Sequence, residues 1–358
     1  LMMSPLKPIE FLIALMLTFS AVGSFAETAV DTKAALSNLS WEFTQEEYKL
    51  SCYWPSPDIF FDSYVLKGLQ AFEADFGQKV NYTVGTEWTQ DVENQTVEAL
   101  AAQGYNLFYI FGADTAGANG LYEELYNAGC EVVNYGGLVN DPQKSALTLC
   151  SNVYVQAYNS TLKLIEEMGG EGQIINVLEN LGDVNTLKRQ QGVEAAVAEH
   201  ADKVSIAQTI ADIKTDAEGY AKVTDALAAN AGVKGIIATG GTASKGLATA
   251  MTDYYAIAPD APHIACATMD QSDEVMKALA AGFVDHTVSQ NGWGMGYICP
   301  LVLMYLSDGW EPVTWGQHID TGYVFITKDN IDSWQTDIEA LSMDIISSIE
   351  TEMLKKPA

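Results

Sequence analysis

The sequence predicts an α/β chain of two doubly wound lobes joined by a hinge, and three observations predict it. Short apolar runs bounded by Gly and Asn alternate with segments of helical period, which is the pattern of βαβ units in a parallel sheet. The alternation passes through one set, breaks at Ser151-Asn152, and resumes as a second set of the same kind, so two lobes are expected. Late in the chain, Asp285 to Gly296 reads DHTVSQNGWGMG, where a strand ends in the polar amide of Gln290 and Asn291-Gly292 turns it into a glycine-studded helix. A polar side chain at the C-terminal end of such a strand sits where open α/β sheets bind ligands, so Gln290 is the first candidate contact.

Residues 27–47 are small and polar without a sustained period and read as a loose leader. Tyr48 to Trp54 is the first strand, ending in the turn formers Pro55-Ser56-Pro57-Asp58. Phe61, Val65, Leu69, Phe72 and Phe76 then recur at spacings that place them on one helix face. Strand Lys79 to Val84, helix Asp91 to Gln103, strand Asn106 to Phe111, helix Ala116 to Ala128 and strand Glu131 to Tyr135 complete the first set, with Ala146 to Cys150 as one more strand. The second set runs through helix Val153 to Met168, strand Gln173 to Leu178, helix Thr186 to Ala198, strand Val204 to Thr209 and helix Asp216 to Ala229. Strand Gly235 to Ala238, helix Ser244 to Tyr255, strand His263 to Ala267, helix Ser272 to Ala281 and the Asp285 strand follow. An apolar helix from Trp293 to Ser307, a last strand from Asp320 to Thr327 and an amphipathic helix through Ile331, Trp334, Ile338, Leu341 and Ile345 end the chain.

At 358 residues and 48% hydrophobic content the chain can hold two ordinary domains with real cores. Its net charge of −29, from 47 acidic and 18 basic side chains, excludes electrostatic attraction to nucleic acid or anionic lipid. Lys7 precedes an apolar run from Phe11 to Val22, and Ser24-Phe25-Ala26 supplies the small residues a signal peptidase needs, so cleavage is expected after Ala26. The apolar run falls short of the roughly 20 residues a membrane span takes. The five cysteines (Cys52, Cys130, Cys150, Cys266 and Cys299) form no CxxC pair and read as buried free thiols, with a Cys130–Cys150 bridge as the alternative. Four histidines without metal-ligand spacing predict no zinc site, and no EF-hand loop is present. Gly240-Gly241 with Gly246 opens a helix as a phosphate loop does, but it matches neither G-x-G-x-x-G nor G-x-x-x-x-G-K-[ST]; a tight turn is the simpler reading. No G-x-S-x-G nucleophile elbow occurs, and no catalytic residue or cofactor is expected.

Leu187-Lys188-Arg189-Gln190-Gln191-Gly192-Val193, Gln208 to Ala217, Gly235-Ile236-Ile237-Ala238, Met269-Asp270 and Asp285 to Gln290 follow one another as in the C-terminal lobe of type I periplasmic binding proteins. From Tyr48 to Thr327 the chain resembles the ribose and galactose-like sugar-binding branch that serves ABC importers. The resemblance implies two Rossmann-like lobes: 27–150 plus 291–320, and 151–290 plus 321–330, behind a signal peptide at 1–26 and before a helical tail at 331–358. It also implies a monomer exported to the periplasm, closing on a small polar ligand such as a sugar, polyol or nucleoside and presenting it to an ABC permease. LacI-type repressors share the fold, but here a signal sequence stands in place of their DNA-binding headpiece.

In that family the Arg of R-x-x-G, the Asp after the late strand and the Gln before the returning helix touch the ligand, and those positions match Arg189, Asp270 and Gln290. The chemistry is apt without the resemblance: Arg offers a donor fork, Asp accepts from hydroxyls, and Gln does both. The resemblance places a stacking aromatic in the first strand-to-helix loop, where Trp54 and Phe61 are the chosen residues and Phe60 is divided between site and core. Where ribose-type binders carry an Asp-Arg pair, this chain has Asn134-Tyr135-Gly136-Gly137, so Tyr135 or Asn134 is expected to compensate. Ile213 and Met269 stand for aromatics and Gly240 for an Asn, departures that point away from ribose itself. A sensor that presents its closed form to a membrane receptor, and a secreted α/β enzyme, are the alternative functions.

Overall fold

The computed structural model describes residues 36–58 and 60–357, so the expected signal peptide lies outside the described residues. Six parallel strands form the first sheet: β1 (Leu50–Trp54), β2 (Val80–Val84), β3 (Leu107–Ile110), β4 (Glu131–Tyr135), β5 (Leu147–Cys150) and the late strand Gln317–Asp320. The second sheet holds β6 (Gly172–Val177), β7 (Val204–Ile210), β8 (Gly235–Ala238), β9 (Ala265–Met269), β10 (His286–Gln290) and the late strand Tyr323–Ile326. Glu311–Pro312 (β11) pairs with Leu354–Lys355 at the chain's end, so Gln317–Asp320 is β12, Tyr323–Ile326 is β13 and Leu354–Lys355 is β14. The strand orders are β12-β5-β4-β3-β1-β2 and β13-β10-β9-β8-β6-β7, with β13 antiparallel to β10.

The strand expected over Asp320 to Thr327 is the shorter β13, and β12, which ends at Asp320 in the other sheet, was not expected. Gly322 separates them with a φ of 74°, and Asp320 Oδ1 accepts its N–H, a turn that ends one ladder and starts the other.

Crossover helices cover the sheets as parallel pairing requires. In the first lobe they are α1 (Leu66–Phe76), entered through a π-helical turn at Phe61–Val65, α2 (Gln90–Ala102) and α3 (Ala118–Asn127). The second lobe has α4 (Val153–Glu167), α5 (Val184–Ala198), α6 (Asp216–Ala229), α7 (Gly241–Ile257) and α8 (Asp273–Ala281). Asn152, Asp183, Thr215 and Ser272 accept backbone N–H groups at the starts of α4, α5, α6 and α8, which fixes where each helix leaves its loop.

The chain then returns to the first lobe as α9 (Gly292–Ser307), which is apolar around its circumference and correspondingly buried along almost its whole length. It packs against α1 and the first sheet at backbone distance: a Cβ on Gly68 would lie 1.9 Å from Trp293 O, and one on Gly296 would lie 2.0 Å from Val65 O. Each large apolar side chain buried there contributes on the order of 2 kcal/mol.

The last helix, α10 (Trp334–Ser347), sends Trp334 and Ile338 into the second lobe's core and Met343 and Ile346 into the first lobe's. The leader is tied down where it is described. Asp308 accepts from Trp41 Nε1 (2.9 Å), Thr44 N (2.9 Å) and Tyr48 Oη (2.8 Å), and Glu350 accepts from Ser40 N (2.9 Å) and Trp41 N (2.9 Å). Polarity of the leader reflects donors aimed at two carboxylates, so the loose segment expected from composition is corrected over residues 40–47.

Besides α10, three short segments lead from one sheet's lobe to the other's among the described residues: Ser151-Asn152, Asn291 and Thr321-Gly322. Ser151 Oγ donates to Gly322 O (2.6 Å) and accepts from Asn291 N (3.2 Å), and Asn291 Nδ2 donates to Thr321 O (2.8 Å). All five cysteines are buried free thiols, as the alternative to the Cys130–Cys150 bridge requires.

Candidate functional site

A cavity of about 660 Å³ lies between the two lobes, at the C-terminal ends of both sheets' strands. Its first-lobe wall is aromatic. Trp54 ends β1, Phe60 and Tyr64 lie on the turn that follows, and Phe111 and Trp88 complete the surface. Trp54 stacks near Phe60 with ring centroids 6.1 Å apart and meets Phe111 edge-on at 4.7 Å; Trp88 meets Phe111 at 5.0 Å. Phe111 fits because the wall beside it has no side chains: a Cβ on Gly136 would lie 2.3 Å from its ring. Asp58 rims this wall, held by an Asx turn in which its Oδ1 accepts from Phe60 N at 2.7 Å.

The second-lobe wall is polar, with Arg189 on α5, Asp270 and Gln271 after β9 and Gln290 at the end of β10. Asp270 has a φ of 64°, a left-handed conformation that Asp tolerates better than most residues, and its N–H is held by Val288 O. Gln290 Nε2 donates to Asp270 Oδ1 at 3.4 Å. Burial pushes the Asp270 carboxyl up to about 6, against the lowering pull of the Arg189 charge and the Gln290 hydrogen bond. Arg189 Nε, Trp54 Nε1 and both amide atoms of Gln271 are buried with no protein partner, and a polar ligand in the cavity would supply one. Lys245, also on this wall, is held by Asp216 at 2.6 Å.

Of the residues singled out in the sequence, the structure brings Trp54, Arg189, Asp270 and Gln290 to this cavity. Asp270 is not a helix cap: Ser272 caps α8. Phe61 and Tyr135 are corrections. Phe61 is buried behind Trp54, 5.5 Å between ring centroids, on the core face of its helix with Val65 and Leu69. Tyr135 is fully buried, and its hydroxyl is spent on Tyr53 O (3.2 Å) and Cys52 Sγ (3.2 Å), so it backs Trp54 instead of facing the cavity. Asn134 is likewise consumed by Tyr122, Gly137 and Thr148.

Phe60, left between site and core by the sequence, lines the cavity, whereas Tyr64, Asp58, Phe111 and Gln271 were missed. Phe111 was within reach, since it follows β3 as Trp54 ends β1 and Gln290 ends β10, and the same positional rule applies to it.

At the Gly240-Gly241 turn the amides of Thr242 and Ala243 are already taken. Glu179 Oε1 accepts from Thr242 N (2.7 Å) and Ala243 N (3.2 Å), which places a carboxylate where a phosphate would sit. Among the described residues no cluster of three or more His, Cys, Asp or Glu could hold a metal, and no helix is long and apolar enough to cross a membrane.

A family model described as periplasmic binding protein domain matches residues 51–311. A D-apiose import binding protein of Actinobacillus succinogenes is 28% identical over 184 residues, covering 50% of this chain and 57% of the relative, so the match spans little more than half of that protein. Among solved structures, an arabinose binding protein from Geobacillus stearothermophilus superposes with a TM-score of 0.71 at 17% identity, covering 81% of this chain and 99% of its own. A sugar-binding protein of a sugar ABC transporter from Bacillus halodurans gives 0.72 at 19% identity over 80% of this chain and 99% of its own. A periplasmic ribose ABC transporter structure from Conexibacter woesei gives 0.71 at 18% identity over 81% and 97%. At these identities the structural likenesses establish the two-lobed fold.

Proposed function

The chain belongs to the periplasmic binding protein family, and from that premise we propose that it captures a small sugar or sugar-like ligand between its lobes and presents it to an ABC permease. The observation that carries the reading is the cavity itself, with an aromatic wall on one lobe and Arg189, Asp270, Gln271 and Gln290 on the other. Apolar C–H faces of a sugar ring stack on Trp54 and Phe60 while its hydroxyls bond the opposite wall, and the volume suits one small molecule. The names of its relatives, which concern D-apiose and arabinose, support the class.

Closure follows from the geometry of the cleft. Ligand touching both walls binds the closed arrangement better than the open one, and that difference in affinity drives the lobes together. The lobes would be those delimited by the sheets, with 27–150 plus 291–320 as one and 151–290 plus 321–330 as the other, and export to the periplasm belongs to the same reading. The protein binds without turnover.

The test is a thermal-shift and calorimetric panel of D-apiose, arabinose, ribose, allose and myo-inositol on the purified protein, with Arg189→Ala as control. One or more sugars should raise the melting temperature and return unchanged, and Arg189→Ala should weaken that sugar by about tenfold or more, since hydrogen bonds to a charged group are worth on the order of 1.5–3 kcal/mol. A panel without any binder, or conversion of a sugar to product, would defeat the proposal. Equal binding by Arg189→Ala would defeat the site.

A further inference from the structure

Ser342 is a polar residue on the buried face of α10, between Ile338 and Ile346, where an apolar side chain would cost less to bury. Its hydroxyl donates to Ile338 O (2.8 Å) and accepts from Asn291 Nδ2 (2.8 Å). Asn291 is the second crossover, and the same amide nitrogen also reaches Thr321 O of the third, while its backbone N–H reaches Ser151 Oγ of the first. Ser151, Asn291, Thr321 and Ser342 are all within 3% of fully buried, so one buried node joins these three crossovers to the C-terminal helix. Room for the hydroxyl exists because position 294 is glycine, where a Cβ would lie 2.6 Å from Ser342 Oγ.

The node divides α10. Trp334 and Ile338 lie in the second lobe's core, whereas Met343 and Ile346 lie in the first lobe's. Trp334 also meets Tyr64 edge-on at 5.6 Å, and Tyr64 lines the cavity. A rigid helix embedded in both cores restricts how the lobes rotate. Any rotation about Asn291 must either withdraw one half of α10 from its core or pivot the helix at Ser342.

We propose that α10 is a fourth element of the hinge and that Ser342 is a positioning residue, which sets through Asn291 the relative orientation from which the lobes close on ligand. This rests on the reading of the protein as one that closes by hinge motion, and it adds to the three crossovers that join the two six-stranded sheets a helix whose halves lie in different cores. Retaining a buried hydroxyl at a cost in stability is consistent with a role in fixing one arrangement over others.

The test places nitroxide labels at Glu124→Cys on α3 and Asp225→Cys on α6, both exposed, while the native thiols are buried. Interlobe distance distributions are read by double electron–electron resonance for the parent, Ser342→Ala and Trp334→Ala, with circular dichroism to establish folding. Both folded variants should broaden or shift the distribution without any ligand, and Ser342→Ala should weaken the best sugar of the panel on the order of tenfold although residue 342 does not line the cavity. Distributions of both variants that superpose on the parent's would overturn the proposal. If the variants broaden while no sugar binds or moves the parent, the hinge role stands and the sugar-capture reading falls.

Discussion

At residue scale the cavity turns on Asp270. Its carboxyl is raised to about 6, so it is ionised at neutral pH and becomes protonated as the pH falls through that value. A ligand donating hydroxyl hydrogens binds the ionised form, and affinity should therefore drop as pH falls through about 6 and level off above about 7. Calorimetric titration of the bound sugar between about pH 5 and about pH 8 checks this, with Asp270→Asn expected to bind more weakly at neutral pH and to flatten the dependence. A second buried acid, Glu93, holds the loop behind Phe111 by accepting from Ala113 N (2.6 Å) and Gln90 Nε2 (2.9 Å). Burial pushes it up to about 7 from 4.5, so the folded state gains from its proton below about 4.5 and loses that gain as pH rises through 7. Glu93→Gln should gain stability relative to the parent at about pH 8 and lose the advantage near pH 4.5, read from urea midpoints at the two values. Gln290 was legible because Asn291-Gly292 marks the end of its strand, whereas Arg189 and Asp270 were reached through the resemblance of their motifs to the periplasmic binding proteins. The place of Tyr135 was not legible, since the partners that consume its hydroxyl, Tyr53 and Cys52, are remote in sequence.

At the scale of elements, the spacing that put Phe61 with Val65 and Leu69 on one helix face already argued for the core, and the structure sides with the spacing. Helix and strand periods carried the alternation of both lobes, whereas β12 was missed because its four residues, Gln317–Asp320, leave no period to read. The contact of α1 with α9 is equally invisible to pattern, yet it positions Phe60 and Tyr64 on the cavity wall. Gly68→Ala and Gly296→Ala each drive a methyl into backbone, and each should cost about 1–3 kcal/mol or more while weakening sugar binding through a displaced wall. Melting temperature and the calorimetric panel measure the two effects. Gly292→Ala strikes Phe60 and Tyr64 directly, with a Cβ 2.8 Å and 2.9 Å from their atoms, and should lower affinity more than stability.

For the whole molecule, the leader and the last helix close the first lobe around Asp308 and Glu350. Burial alone would raise both carboxyls, but the hydrogen bonds from Trp41, Thr44 and Tyr48 to Asp308, and from Ser40 and Tyr305 to Glu350, hold both below the usual range. Stability from a lowered carboxyl is present above its unfolded value and is lost as pH falls through the folded one. Acid below about pH 4 should therefore free residues 40–48 before either sheet opens, and Asp308→Asn should free them at neutral pH, both read as early cleavage there in limited proteolysis.

The five thiols carry a consequence of another kind, in time instead of space. Burial pushes every one of them up, Cys52 to about 12, so an alkylating reagent finds almost no thiolate and no path to it until the surrounding structure opens. Cys266 lies in the second lobe's core, and Cys52, Cys130, Cys150 and Cys299 lie in the first lobe's. The order in which mass is gained under a constant alkylation pulse is thus a clock with one hand in each lobe, and it tells which half of the molecule breathes first.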